Sequence, residues 1–536
     1  VQNRQKPGRI LIQPGFFVTI QEQAVIETPN KKEEATMKMN FLKRPRRLTR
    51  HQQAAGKTDF TARKELYKAV VTAALDDQFY AAEDKRLQHI RSLVAKNDPS
   101  FIAALATQLA ALPALRYMCF VLIVELDRQF SNHRQAGLLA AQLVRHASDL
   151  VALLQYYALS AHKKSIRQIG RLSKSLHKGL STVCEQADAA WLQHCPAELR
   201  EKLKEALQLI QPKPADAARQ QMFTRFMQQE QQAGQWETEL ALLKQQAFDS
   251  QETRQAAFSE KWSAIVQSDE LSDTVLLKNS KNIARMPLTA GAMQAVCQRL
   301  AAIDNPALSP FVLLHYYREL LLQGGNNTGM LEALEKAALR SIQHITGFGP
   351  QTRVLVATDV SSSMLRHISI KSKVQNFDIG PLLALVLRQQ GNGVTTGIFG
   401  DRWKTIHLPQ GPMLAATEAF YRREGEVGYA TNGYLAVEYL LQQQKVVDKV
   451  LLFTDCPLWN SRGSEHLASL WKSYKQIAPG ARLYLFDLAG YDNTPLKQLP
   501  DEVYLIAGWN DKIFAVLAAL EQEAQLLEKT AVLPGI

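Results

Sequence analysis

From about residue 62 to 345, apolar residues recur at three- and four-residue spacing, and strand-like alternation is nearly absent. That period puts one apolar stripe along each of many helices. The pattern is broken at Asn97-Asp98-Pro99, Pro212-Lys213-Pro214, Asp304-Asn305-Pro306 and Gly324-Gly325-Asn326-Asn327, all turn-forming combinations. Helices of roughly 10 to 20 residues with brief turns and no dominant central core predict stacked helix pairs, an α-solenoid of HEAT-like repeats. After Gly347-Phe348-Gly349-Pro350 the texture changes. Apolar or β-branched runs at 353–358, 394–399, 449–454, 483–486 and 503–507 predict strands, and 379–390, 432–446, 463–476 and 511–528 predict helices between them. Strands alternating with helices imply a mainly parallel, doubly wound, Rossmann-like sheet covered on both faces, with ligands at the carboxyl ends of its strands.

The domain reading is an extension at 1–41, expected to be flexible, a helical-repeat domain at 42–350 and an α/β domain at 351–536. Within the extension, Met37-Lys38-Met39 reads as a natural translation start, and residues 1–36 are aperiodic. A composition 46% apolar and 21% charged is that of an ordinary soluble globular chain. No run reaches the roughly 18 apolar residues of a membrane helix. A cytoplasmic protein without a membrane partner is expected. Its five cysteines, Cys119, Cys184, Cys195, Cys297 and Cys456, are scattered, without the paired spacing of a zinc or redox site, and read as reduced core thiols.

Charge changes the picture more. Residues 351–536 hold 18 Lys and Arg against 18 Asp and Glu, so the whole excess of 12 positive charges lies in the first 350. An excess confined to one domain is the footprint of a polyanion-binding surface. Part of it is a basic arm, Lys43, Arg44, Arg46, Arg47 and Arg50, which reads equally as a solvated tail. The densest part is Lys163, Lys164, Arg167, Arg171, Lys174 and Lys178, with His177 beside them. Five of these cations step by 4, 4, 3 and 4, which on a continuous helix over 163–180 makes one positive stripe opposite Ile166, Ile169, Leu172, Leu176 and Leu180. Phosphates would relieve their mutual repulsion; a solvated face is the alternative. Arg167 and Arg171 are the first choices for phosphate grip and base stacking.

In the second domain, Asp359-Val360-Ser361-Ser362-Ser363 leaves the first strand with a carboxylate and two hydroxyls at i, i+2 and i+4. These are hard oxygen donors of the kind Mg²⁺ or Mn²⁺ takes. Thr431, opening a helix, and Asp455, ending the 449–454 run, supply oxygens from two further segments. A bare helix cap made by Asp359 and Ser363 is the alternative. A phosphotransfer aspartate of the haloacid dehalogenase type would need a second acid at position 361, where this chain has Ser361. The hydrolase motifs G-x-x-x-x-G-K-[ST], H-E-x-x-H and G-x-S-x-G are missing, so no enzyme is expected.

The D-x-S-x-S constellation resembles the metal-ion-dependent adhesion site of von Willebrand factor A domains. Joined to a basic helical domain, it makes residues 42–536 resemble the Ro ring proteins, whose helical part is called the TROVE module. The segments Glu65-Leu66-Tyr67-Lys68, Lys96-Asn97-Asp98-Pro99, Gly170-Arg171-Leu172-Ser173-Lys174, Gln235-Trp236-Glu237, Asn279-Ser280-Lys281-Asn282, Phe453-Thr454-Asp455 and Gly508-Trp509-Asn510-Asp511 carry that resemblance. It implies a monomeric ring whose positive hole takes single-stranded 3′ ends of misfolded RNA, with Y-like noncoding RNA on the outer surface. It also implies a ribonucleoprotein acting in RNA quality control, with a nuclease or RNA-repair enzyme as partner and an acidic protein group at the metal. Gln211 stands where relatives are expected to place a histidine used for Y RNA. The competing function is a metal-dependent protein-interaction scaffold with no RNA role.

Overall fold

The computed structural model describes residues 50–73 and 85–523, apart from short internal stretches of which 229–234, 456–463 and 490–499 are the longest. The 1–41 extension, the basic arm including the Arg50 side chain, and Cys456 lie outside the described residues. Among the described residues, sixteen α-helices precede the first strand. They are α1 (Arg50–Ala73), α2 (Lys85–Val94), α3 (Pro99–Ala110), α4 (Arg116–Gln129), α5 (Arg134–Leu143), α6 (Ala147–Ser160), α7 (Lys174–Gln186) and α8 (Ala189–Gln193). The array continues with α9 (Arg200–Ile210), α10 (Ala217–Gln228), α11 (Gln235–Gln245), α12 (Gln251–Gln267), α13 (Asp273–Ala284), α14 (Ala290–Ala302), α15 (Pro310–Leu321) and α16 (Thr328–Ser341).

Turn signals in the sequence become helix starts. Asp98 caps α3 by accepting from the Ser100 N–H at 2.8 Å, with Pro99 in the first turn where its missing donor costs nothing. Ser309 and Pro310 repeat the device at α15, and Ser250, Ser272 and Thr289 cap α12, α13 and α14. Many helices pack on the helix two places away: α3 on α5, α4 on α6, α5 on α7, α12 on α14, α13 on α15, and α14 on α16. That is the contact pattern of stacked helix pairs, and it confirms the solenoid expectation.

One expectation fails. Residues 163–180 are not a continuous helix: Ile166–Gln168 form a single 3₁₀ turn, the chain then runs extended, and α7 begins only at Lys174. The cause is Ser173, whose hydroxyl accepts from the Leu176 N–H at 3.1 Å and donates to Asp127 on α4 at 2.6 Å, fixing a helix start there. Gly170 further weakens helix in the preceding residues.

The position of α7 is set by a crossing with α5 so close that a Cβ on Gly179 would overlap the Gly137 carbonyl. Gly137 N–H also donates to Ser175 Oγ at 3.1 Å. Gly179→Ala should therefore lower stability by about 2 kcal/mol, an overpacking cost near 3 less a helix-propensity gain near 1. Chemical denaturation measures it; an unchanged or raised midpoint would show that the two helices do not cross there.

The α/β domain contains β1 (Arg353–Asp359), α17 (Asn376–Gln389), β2 (Gly393–Phe399), β3 (Trp403–Ile406), α18 (Met413–Ala419), α19 (Tyr434–Gln442), β4 (Lys449–Thr454), α20 (Ser464–Ile477), β5 (Arg482–Asp487), β6 (Val503–Ala507) and α21 (Ile513–Glu521). The sheet order is β3-β2-β1-β4-β5-β6, all parallel except the antiparallel edge β3. All five expected strands form; the short β3, with Lys404 and Thr405 exposed, and α18 were not anticipated. Leu355, Ala357, Val450 and Leu452 face one core with α19 and α20. Val354, Val356, Leu451 and Phe453 face the other, which is continuous with the apolar interior of the helical array.

Both ends of that array rest on the α/β domain. At the near end, Tyr67 of α1 donates to the Ala519 carbonyl of α21 at 2.7 Å, and the Lys68 ammonium lies 4.8 Å from the Tyr504 ring centre. At the far end Arg318 of α15 is buried against Asp378 of α17, with Nη2 to Oδ1 2.6 Å, and also pairs with Glu418 of α18. Glu335 of α16 accepts from the Leu414 and Ala415 N–H groups at 3.0 and 2.7 Å, capping α18 from the helical side. The chain thus closes into one circuit.

Candidate functional site

Sheet order reverses beside β1: β2 follows on one side and β4 lies on the other, so the carboxyl ends of β1 and β4 frame a crevice. Asp359 ends β1 there, fully buried, and Asp455 follows β4. Asp359 Oδ1 accepts from the Ser361 N–H at 2.8 Å, and Oδ2 accepts from the Thr454 hydroxyl at 2.7 Å. Ser361 Oγ stands 3.1 Å from Ser363 Oγ, which donates to Asp455 Oδ1 at 2.9 Å. Two carboxylates and three hydroxyls are therefore joined in one oxygen cluster, with Ser363 exposed at its mouth. Burial pushes the Asp359 carboxyl up to about 6, against the Thr454 and Ser361 hydrogen bonds; the Asp455 charge adds to the rise. An anion held in so dry a place favours a cation beside it.

Thr431 is half-buried on the adjoining loop and, among the described residues, makes no side-chain hydrogen bond to this cluster. Its loop is nevertheless fixed against the crevice: Gly425 N–H donates to the Val360 carbonyl at 2.9 Å, and Ala430 N–H to Asp401 Oδ1 at 3.3 Å. Gly428, at φ +92°, leaves the room that the Asp401 carboxylate fills. Thr454 and Asp401 were missed in the sequence; the signal for each was an oxygen at or just past the end of a strand. Among the described residues no group of three or more His, Cys, Asp or Glu gathers, so the donor set is rich in hydroxyls.

The basic residues sit elsewhere, on the helical array. Lys163, Lys164, Arg167, Arg171, Lys174, His177 and Lys178 are all exposed, spread along the extended approach to α7 and its first turns. Among the described residues none of them forms an ion pair. The Glu205 carboxylate does approach this segment, but its Oε2 accepts from the Arg167 backbone N–H, at 3.3 Å, and not from the guanidinium. Other arginines of the array are engaged structurally. Arg116 holds Asp149 at 2.8 Å, Arg91 holds Glu125 at 3.0 Å, Arg128 lies over Tyr157, and Arg299 binds backbone carbonyls of Val266, Ser268 and Leu271. Exposed Arg134 joins the surface through the α5 crossing, its carbonyl accepting from Ser175 Oγ at 3.3 Å. Nothing in the sequence spacing could reveal that neighbour. Gln211 is exposed at the left-handed C-cap of α9, φ 50°.

An array of stacked helix pairs closed by a doubly wound, Rossmann-like domain, with an oxygen cluster at the sheet's switch point, is the class this fold defines. The crystal structure of the Ro (RSR) protein of Deinococcus radiodurans is similar to it, with a TM-score of 0.59 over 86% of this chain and 100% of that one, at 17% identity. The resemblance drawn from sequence motifs is thereby borne out in the fold. No family model and no curated protein matches the chain. Among the described residues no helix is long and apolar enough to cross a membrane.

Proposed function

We propose that this chain is an RNA-binding protein of the Ro type, a ribonucleoprotein scaffold in RNA quality control that holds structured RNA on the α7 surface. The observation carrying this reading is the run of exposed cations from Lys163 to Lys178 without an ion pair among the described residues. Repulsion among neighbouring cations is a standing cost that phosphates remove. The fold likeness to Ro supports the same reading. Single-stranded 3′ ends of misfolded RNA and Y-like RNA are the proposed ligands, and a nuclease or RNA-repair enzyme the proposed partner. Binding should be micromolar or tighter and should weaken with salt, with a log–log slope of about −0.7 to −0.9 per phosphate neutralised. Affinity that stays constant from low to moderate salt removes the electrostatic basis of this reading.

The oxygen cluster is proposed to hold Mg²⁺ or Mn²⁺. Asp359, Ser361, Ser363 and Asp455 would hold it, with Thr431 brought up by the loop that Asp401 pins. When bound, the ion would offer a Lewis-acid position to an acidic group of a protein partner. Asp359→Ala should abolish divalent-ion binding, read by calorimetry, and leave RNA affinity within about twofold, because the α7 surface lies on a different domain. Loss of RNA binding in the same variant would show that the two sites are one.

A further inference from the structure

The oxygen cluster continues into a part of the chain held by the other domain. Arg366 N–H donates to the Ser363 carbonyl at 3.1 Å, and Asn376 N–H to the Arg366 carbonyl at 3.0 Å. His367 and Gln375 pair antiparallel, and Ile368 N–H donates to the Val374 carbonyl at 3.0 Å. Two short arms, 366–369 and 372–376, thus run side by side from the cluster to the start of α17. The second arm is gripped at Lys373. Its N–H donates to Nδ1 of His315 at 3.0 Å, and its carbonyl accepts from Nη1 of Arg318 at 2.8 Å. Both side chains come from one turn of α15, in the helical array.

We propose that His315 and Arg318 are positioning residues for the metal loop, so that the seat of α15 on the α/β domain sets the affinity of the oxygen cluster for its ion. This rests on the metal reading above. The physical basis is that one residue's donor and acceptor are both fixed by the same helix, which leaves the arm little freedom to translate or rotate. From Lys373 the constraint runs along the second arm to Asn376, and two backbone hydrogen bonds, Asn376 N–H to the Arg366 carbonyl and Arg366 N–H to the Ser363 carbonyl, carry it on to Ser363. Linkage makes the effect reciprocal: an ion at the cluster tightens the grip of the loop on α15 by the same factor.

The grip on Arg318 cannot be tested alone, because its loss also strands Asp378. His315 is the cleaner probe. His315→Phe keeps a ring and removes the acceptor, whereas His315→Asn restores an acceptor near Nδ1. With the full-length chain and Mn²⁺ alone as ligand, His315→Phe is expected to weaken binding about tenfold, within the common range of coupling. His315→Asn should recover most of that, and RNA affinity should not change in either. In the ion-free protein, His315→Phe should also speed amide exchange at residues 363–368 and 373–376. Equal Mn²⁺ affinity in wild type and His315→Phe, or unchanged exchange in those arms, overturns the proposal. A wild-type chain that binds no Mn²⁺ defeats the metal reading instead, while the exchange comparison still decides whether α15 positions the loop.

Discussion

Replacing Arg167, Arg171 and Lys174 together by alanine is expected to weaken RNA binding by about 100- to 1000-fold, roughly tenfold for each charged side chain removed from a phosphate. The salt slope should become shallower by about 2 to 3. All three side chains are exposed and free of ion pairs among the described residues, so stability should stay within about 0.5 kcal/mol of wild type. A titration with structured RNA carrying a single-stranded tail, at two salt concentrations, reads both quantities. An affinity equal to wild type would leave the protein-interaction scaffold as the better account. A lost fold would mean that these cations pack in a way their exposure does not show.

The second large effect is at the far clasp. Arg318→Met should destabilise the chain by about 3 to 5 kcal/mol, because Asp378 is left as a buried carboxylate with its charged partner gone. Truncating Asp378 as well should recover part of the loss, since the pair as a whole contributes far less than either half stranded. Thermal unfolding of the single and double variants measures this. A cost below about 1 kcal/mol for Arg318→Met would show that water reaches Asp378 in solution.

Much of this was legible in the sequence because the two periodicities are clean. The 3.6-residue stripes and the short apolar runs placed the helical array, the five parallel strands and the change of texture near residue 350. Asp359, Ser361, Ser363 and Asp455 could be paired in advance because residues at the ends of neighbouring parallel strands must converge. Beyond β3, α18, Thr454 and Asp401, three things escaped. The break in the basic segment depends on Ser173 reaching Asp127, a contact 46 residues away that overrides a locally helical pattern. Arg134 enters the cationic surface through a glycine crossing with no local signature. The boundary at 350 marks a change of pattern and not a gap in packing, because one apolar core runs from the helices into a face of the sheet. Apolar stripes say which side of an element is buried, but not against which partner.

The hydrogen bond between Tyr67 and Ala519 joins residues 452 apart in the chain. Synthesis delivers α1 ahead of every other described helix, yet its seat on β6 and α21 exists only once those late elements have been made and paired. The face of α1 turned to α2 can pack as soon as α2 is made, but the face that meets β6 and α21 must wait while more than 400 further residues are translated. A slow final step in refolding, reported by the environment of Tyr67 and sensitive to truncation of α21, is the kinetic signature of a molecule in which α1 must wait for α21.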